Sequence, residues 1–223
     1  MIYRVFKEFK KDSVEILPDY EANNVANKYQ ARFEIFLTNQ NMTKVDILDF
    51  FELSGLCYYC DSYHYGNKFE CDELFWEIPD SKIDFYNPTY ISEYINIIGQ
   101  LFLAGYIDFL CDWDDDCEKT DYPTNLSYYK EDKYQAWIYF RDNFFYKERF
   151  LRKYDDNYHE IIKASWDTPR CWSEYNILVA RTEKGTKYFN EILAPRFYNK
   201  YKDLEVEIDD KGNIVRWIGE INR

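Results

Sequence analysis

At 223 residues the chain is long enough to bury a core without disulfides or a structural metal. Its 23 tyrosines, 17 phenylalanines and 6 tryptophans, against only 7 glycines and 6 prolines, exclude a disordered or linker-rich polypeptide. The net charge of −13, from 41 acidic and 28 basic residues, opposes long-range attraction to nucleic acid or anionic membrane and favours basic partners, or solubility alone.

In chain order, Met1 to Leu17 alternates loosely and predicts one or two short strands before Pro18. The opening MIYRVFKEFKK has no apolar core of signal-peptide length, so cytoplasmic residence with reduced cysteines is the expectation. From Asp19 to Leu37, Val25, Tyr29, Phe33, Phe36 and Leu37 share one helical face. Thr43 has the character of an N-cap with Asp46 at N3, opening a helix whose stripe is Val45, Leu48 and Phe51 and which Gly55 ends. Pro88 opens a second helix with Ile91, Tyr94, Ile95, Ile98, Leu101 and Phe102 inward, up to Gly105. YIDFL follows as a strand, and CDWDDDCEKTDYPTN as an acidic loop. Trp137, Phe140, Phe144 and Leu151 fall near helical spacing, although AWIYF also reads as a strand. NILVART is a strand, EKG a turn, and Thr186 to Leu193 a helix. LEVEI-DDKGN-IVRWI is a hairpin about an Asp/Gly turn. The fold expected is α+β: mostly helical with short hairpins and the terminal hairpin packed on the helices. One domain over 1–223 is expected, with a possible subdivision into 1–110 and 111–223.

Two fragments, TYISEYINIIGQLFLAGYIDFL and NILVARTEKGTKYFNEIL, with MTKVDILDFFELSG before them, resemble a winged helix-turn-helix domain over residues 43–55, 89–110 and 176–193. The resemblance implies a recognition helix, a glycine, two wing strands and a final helix. Residues 56–87 and 111–175 exceed that minimal pattern. It also implies DNA binding, which needs Lys or Arg for phosphates and Arg, Asn or Gln for base edges. Between Pro88 and Gly105 there is no Lys or Arg, Glu93 is the only charge, and Asn96 and Gln100 are the only amides. The flank from Asp108 to Asp121 adds seven acids against one lysine. A protein-binding version of the domain fits that charge better.

Cys57, Cys60, His64 and Cys71 have the count and order for tetrahedral zinc, similar to a zinc knuckle. Their gaps depart from the knuckle's, and thiols packed among Tyr58, Tyr59, Tyr63 and Phe69 are the alternative. Asp112, Asp114 and Asp116 start like a calcium loop, but Cys117 stands where Gly is required and Pro123 where Glu is. His159-Glu160 lacks the second histidine of a zinc protease motif, Lys163 standing in its place. Glu131-Asp132-Lys133 offers half of a metal-nuclease motif. No nucleophile motif or Gly-rich phosphate loop is present.

These features predict a non-enzymatic, cofactor-free acidic inhibitor of the toxin-immunity or phage anti-defence (anti-CRISPR) type. Acting as a nucleic-acid mimic, it would block a basic partner surface through Asp112, Trp113, Asp114, Asp115, Asp116, Glu118 and Asp121. The alternative is a winged-helix DNA-binding regulator, with structural zinc, using Arg141, Lys147, Arg149, Arg152 and Lys153 as its basic face. A metal-dependent enzyme at Cys57–Cys71 or the acidic loop is the third reading.

Overall fold

The computed structural model describes residues 2–4, 6–10, 13–16, 38–56, 68–70, 88–111, 126, 132–145, 166, 169, 172 and 177–223. Within them the fold is mixed α+β. Three short N-terminal strands, β1 (Ile2–Arg4), β2 (Phe6–Lys10) and β3 (Ser13–Ile16), precede helix α1 (Lys44–Ser54). The amphipathic helix expected at 19–37 lies outside the described residues. Strand β4 (Lys68–Glu70), helix α2 (Pro88–Ala104) and strand β5 (Ile107–Cys111) come next. Helix α3 (Lys133–Phe140) then runs into a wider π-type turn over Arg141–Phe145, which settles AWIYF as helical.

Strand β6 (Ile177–Arg181) leads to α4 (Glu183–Tyr188). The EKG segment is therefore the first turn of a helix rather than a turn between elements. The reason is Thr182, whose Oγ1 accepts the Gly185 N–H at 3.0 Å and closes the N-terminus. This helix continues beyond the expected Leu193, through a π-type stretch at Phe189–Leu193 into α5 (Ala194–Tyr201). The wide stretch directly precedes Pro195, which has no N–H and whose ring would collide with the carbonyl four residues earlier. Opening the helix by one residue per turn removes that collision. The chain ends in the expected hairpin, β7 (Glu205–Ile208) and β8 (Ile214–Ile218), turning at Gly212 with φ +77°.

One sheet has the order β1-β7-β8, with Ile2 opposite Glu207 and Glu207 opposite Arg216. Its outer face carries the cross-strand ion pairs Arg4–Glu205 and Arg216–Glu207. A second sheet has the order β4-β6-β5, all antiparallel, with Phe109 opposite Val179. Ile107, Phe109, Ile177 and Val179 turn one face of that sheet into the core.

The core is strongly aromatic. Phe140 lies within 4.2–6.3 Å, centroid to centroid, of Phe109, Trp137, Phe144, Phe145, Trp166 and Trp172. Helix α2 buries Tyr94, Ile95, Ile98, Leu101 and Phe102, as its spacing predicts. Gly99 lets α2 approach α3, since a Cβ there would enter the Trp137 ring.

Helix α1 departs from expectation. Its apolar buried positions are Ile47, Phe50, Phe51 and Leu53, while Val45 is 61% exposed. The stripe is turned because Asp46, not Val45, takes the inward position. Gly55 follows the helix but has φ −66°, so its left-handed freedom is unused. Its lack of a side chain is what matters, with Leu101 and Ile98 of α2 against it.

Candidate functional site

The acidic residues predicted to meet a partner, Asp112, Trp113, Asp114, Asp115, Asp116, Glu118 and Asp121, lie outside the described residues. Their attachment point is described: β5 is the outer strand of β4-β6-β5 among the described residues and ends at Cys111, one residue before the run begins. Cys57, Cys60, His64 and Cys71 also lie outside, although β4 falls between the last two. So do His159, Glu160, Lys163, Glu131, Lys147, Arg149, Arg152 and Lys153. Asp132 and Lys133, from the nuclease-like triplet, perform capping. Asp132 Oδ1 accepts the Tyr134 and Gln135 N–H groups at the start of α3, and Lys133 Nζ donates to the Phe102 carbonyl at 3.2 Å. Arg141 pairs with Asp142 at 2.7 Å. Among the described residues no group of three or more His, Cys, Asp or Glu is arranged to hold a metal, and no helix is long and apolar enough to cross a membrane.

The described part concentrates its polar side chains in a seam between α1 and α5. Asp46, Asp49 and Glu52, three residues apart, form a carboxylate row on α1. Arg196, Lys200 and Tyr201 face them from α5, with Tyr188 of α4 beside them. Lys200 Nζ lies 2.9 Å from Asp46 Oδ1 and 2.5 Å from Asp49 Oδ2. Arg196 Nη2 donates to Glu52 Oε2 at 2.6 Å, and Tyr188 donates to Glu52 Oε1 at 2.6 Å. Tyr201 donates to Asp46 Oδ1 at 2.9 Å.

Asp46 is the hub, its side chain fully buried. Its Oδ2 accepts the Thr43 N–H at 2.7 Å and hydroxyl at 2.6 Å, so it also caps α1. The same oxygen accepts from Arg223 Nη2 at 2.8 Å. Arg223 is held in turn by the Asn41 carbonyl at 2.7 Å, while Asn222 N–H donates to the Lys200 carbonyl at 2.8 Å. The last two residues are thus a strap from the end of α5 to the start of α1.

Burial alone would raise the Asp46 pKa, but hydrogen bonds from Lys200, Thr43 and Arg223 outweigh it and hold the carboxyl well below the ordinary range. Burial would lower the Lys200 pKa, yet its bonds to Asp46 and Asp49 raise it. Burial, reinforced by Glu52, pushes the Tyr188 hydroxyl up to about 12. Asp46 and Lys200 therefore meet as a charged pair at neutral pH, and Tyr188 donates as a neutral phenol. Beside the seam lies an open groove of about 800 Å³ whose lining includes Arg196, Lys200, Arg223, Asn199, Asn222 and the exposed Val45.

The sequence offers one signal for this seam, acids at 46, 49 and 52 with bases at 196 and 200, and both sets read equally well as solvated helix faces.

Helix α2 presents a different surface. Ser92, Asn96 and Gln100, four residues apart, are exposed, with Leu103 continuing the line. Glu93 is tied to Lys44 of α1. At the C-terminal end, Lys133 and Lys184 donate to the Phe102 and Ala104 carbonyls, completing the helix and complementing its dipole.

No protein-family model, curated protein or solved structure matches the chain.

Proposed function

We propose that the protein is a non-enzymatic binding module, an inhibitor that presents an acidic surface to a basic partner through the run Asp112–Asp121. The observation that carries this reading is the commitment of nine basic side chains among the described residues. Arg4, Lys44, Arg141, Arg196, Lys200, Arg216 and Arg223 are each paired with a carboxylate of the same chain. Lys133 and Lys184 are bonded to main-chain carbonyls. Cations so engaged leave the surplus of acid, −13 overall, to set the outer field. A rigid scaffold carrying that field competes for the Lys and Arg that would hold phosphate, as a toxin-immunity or anti-defence protein does. The run begins one residue after β5 ends, so the sheet β4-β6-β5 is the platform that would hold it.

Capture of partners from host lysate, at low and then high salt, with and without nuclease, tests the reading. A basic protein that survives nuclease and elutes with salt supports it, provided that replacing the seven run residues by amides or Phe abolishes capture. Equal capture by that variant sinks it.

A second reading, a winged-helix regulator, draws on the sheet order β4-β6-β5 and on α2 passing through Gly105 into β5. The exposed Ser92, Asn96 and Gln100 stripe supplies amides for base edges but no charge for phosphates. Nucleic acid in the eluate, lost on nuclease treatment, would favour this reading, and zinc in the purified protein would attach the Cys57–Cys71 segment to it.

A further inference from the structure

We propose that Arg223 is a salt-sensitive latch on the segment that enters α1, and that it opens while the seam between α1 and α5 stays shut. The device is independent of the acidic-run reading. The segment is the short turn at residues 39–42. Asn39, which is buried, forms its inside: its side chain accepts the Asn41 N–H at 2.9 Å and its carbonyl accepts the Met42 N–H at 3.1 Å. Two side chains, from β8 and from the tail that follows it, hold the outside. Trp217 Nε1 donates to Thr38 Oγ1 at 2.8 Å. Arg223 Nη2 donates to the Asn41 carbonyl at 2.7 Å and to Asp46 Oδ2 at 2.8 Å.

The tail that carries Arg223 is mounted on α5, so the latch moves by its side chain and not by its backbone. At Gly219 the chain turns back with φ +87° against the Asp203 carbonyl, where a Cβ would collide. Asn222 then donates its N–H to the Lys200 carbonyl at 2.8 Å, and its Nδ2 to the Asn199 carbonyl at 3.1 Å and to Asp203 Oδ2 at 2.8 Å. From this mount the Arg223 side chain spans to α1.

Arg223 and Lys200 share Asp46 but differ in exposure. The Arg223 side chain is 49% exposed and that of Lys200 only 17%. An ion pair open to water is worth little and is screened by salt, whereas a pair held out of water is screened much less. Losing Arg223 does not leave Asp46 bare, because the Thr43 N–H and hydroxyl, Lys200 and Tyr201 still donate to it. The cap of α1 and the seam therefore outlast the latch. The Trp217–Thr38 bond joins no full charges and keeps the far end of the turn attached, so opening loosens the Asn41–Met42 end. Rising salt thus releases this turn in a local opening that costs far less than unfolding.

The test follows amide exchange in the full chain by proton–nitrogen spectra at about 20 mM and about 500 mM sodium chloride, which bracket weak and strong screening. Raising the salt should speed exchange at Asn41 and Met42 about threefold relative to Phe50 and Phe51 inside α1. Arg223→Ala should show the fast rates at both salt concentrations, with Phe50 and Phe51 still protected. Rates at Asn41 and Met42 that do not respond to salt overturn the inference. So does an equal acceleration of the α1 amides, which would make strap and seam one cooperative unit. If Arg223→Ala does not fold, the salt response of the wild type decides by itself.

Discussion

The ring cluster around Phe140 and the charged seam around Asp46 are both buried between secondary-structure elements, and they are held by opposite kinds of force. Six aromatic rings surround Phe140, contributed by β5, α3, its π-type extension, Trp166 and Trp172. Its stabilisation comes from apolar area removed from water, is additive over many contacts and indifferent to pH. The seam instead joins α1 to a helix about 150 residues later through ion pairs and hydrogen bonds that work only with both partners present. An aromatic core tolerates adjustment of ring angles. The seam tolerates no missing partner, because a buried carboxylate without its donors is costly. The comparison teaches that this protein fixes the angle between α1 and α5 by polar geometry and fills its volume with rings.

Five experiments break or sharpen that contrast. Phe140→Ala should cost the most, about 3–5 kcal/mol, because the surrounding indoles cannot collapse into so large a cavity. Urea unfolding measures it, and a cost under about 1 kcal/mol would show that the cluster is loosely packed. Asp46→Ala should cost about 3 kcal/mol, removing the α1 cap and the shared acceptor of Lys200, Tyr201 and Arg223.

The same residue sets a pH dependence. Asp46 has a folded pKa below its unfolded value, so its stabilisation is complete above about pH 4 and is lost as pH falls through the depressed folded value. Asp46→Asn should flatten that acid limb, whereas Phe140→Leu should lower the whole stability curve without altering its shape. Acid titrations followed by circular dichroism separate the two.

Tyr188→Phe should cost about 1–1.5 kcal/mol, since it removes the hydroxyl that bonds Glu52 and keeps the ring that stacks on Tyr106 at 4.3 Å. The Tyr188 pKa is raised, so its contribution is full below about pH 10 and lost as pH rises through about 12. Ultraviolet titration of wild type against Tyr188→Phe should show one tyrosine fewer ionising in that range. The smallest effect is expected on the outer face of the β1-β7-β8 sheet. A double-mutant cycle on Arg216 and Glu207 should give under about 1 kcal/mol, vanishing in high salt. A larger coupling there would erase the distinction between seam and surface pair.

Much of the fold was legible where periodicity is a sufficient signal. Helix α2 shows five inward residues at the expected spacing, and β5, β6 and the terminal hairpin form where expected, with burial alternating along β7. Helix α1 was readable as a helix with its cap, but its orientation was misread. A hydrophobic stripe assumes that acids face water, and here Asp46 faces in while Val45 faces out. The turn expected at Glu183–Gly185 became helix through the Thr182 cap, and Pro195 did not end the helix because a widened turn precedes it. Of the candidate sites, the sequence pointed to segments 57–71 and 112–121, whose candidate residues lie outside the described ones.

What the sequence by itself determined is the class of the molecule: an acidic, aromatic, α+β chain whose apolar spacing dictates which faces of α2 and the hairpin are buried. Only the tertiary structure decided which charges meet. Lys200 and Asp46 carry no local mark of their pairing, because an ion pair depends on a distance of a few ångströms that only folding creates. Periodicity encodes what is near in the chain, while the seam and its groove exist because α5 and the last two residues return to the start of α1.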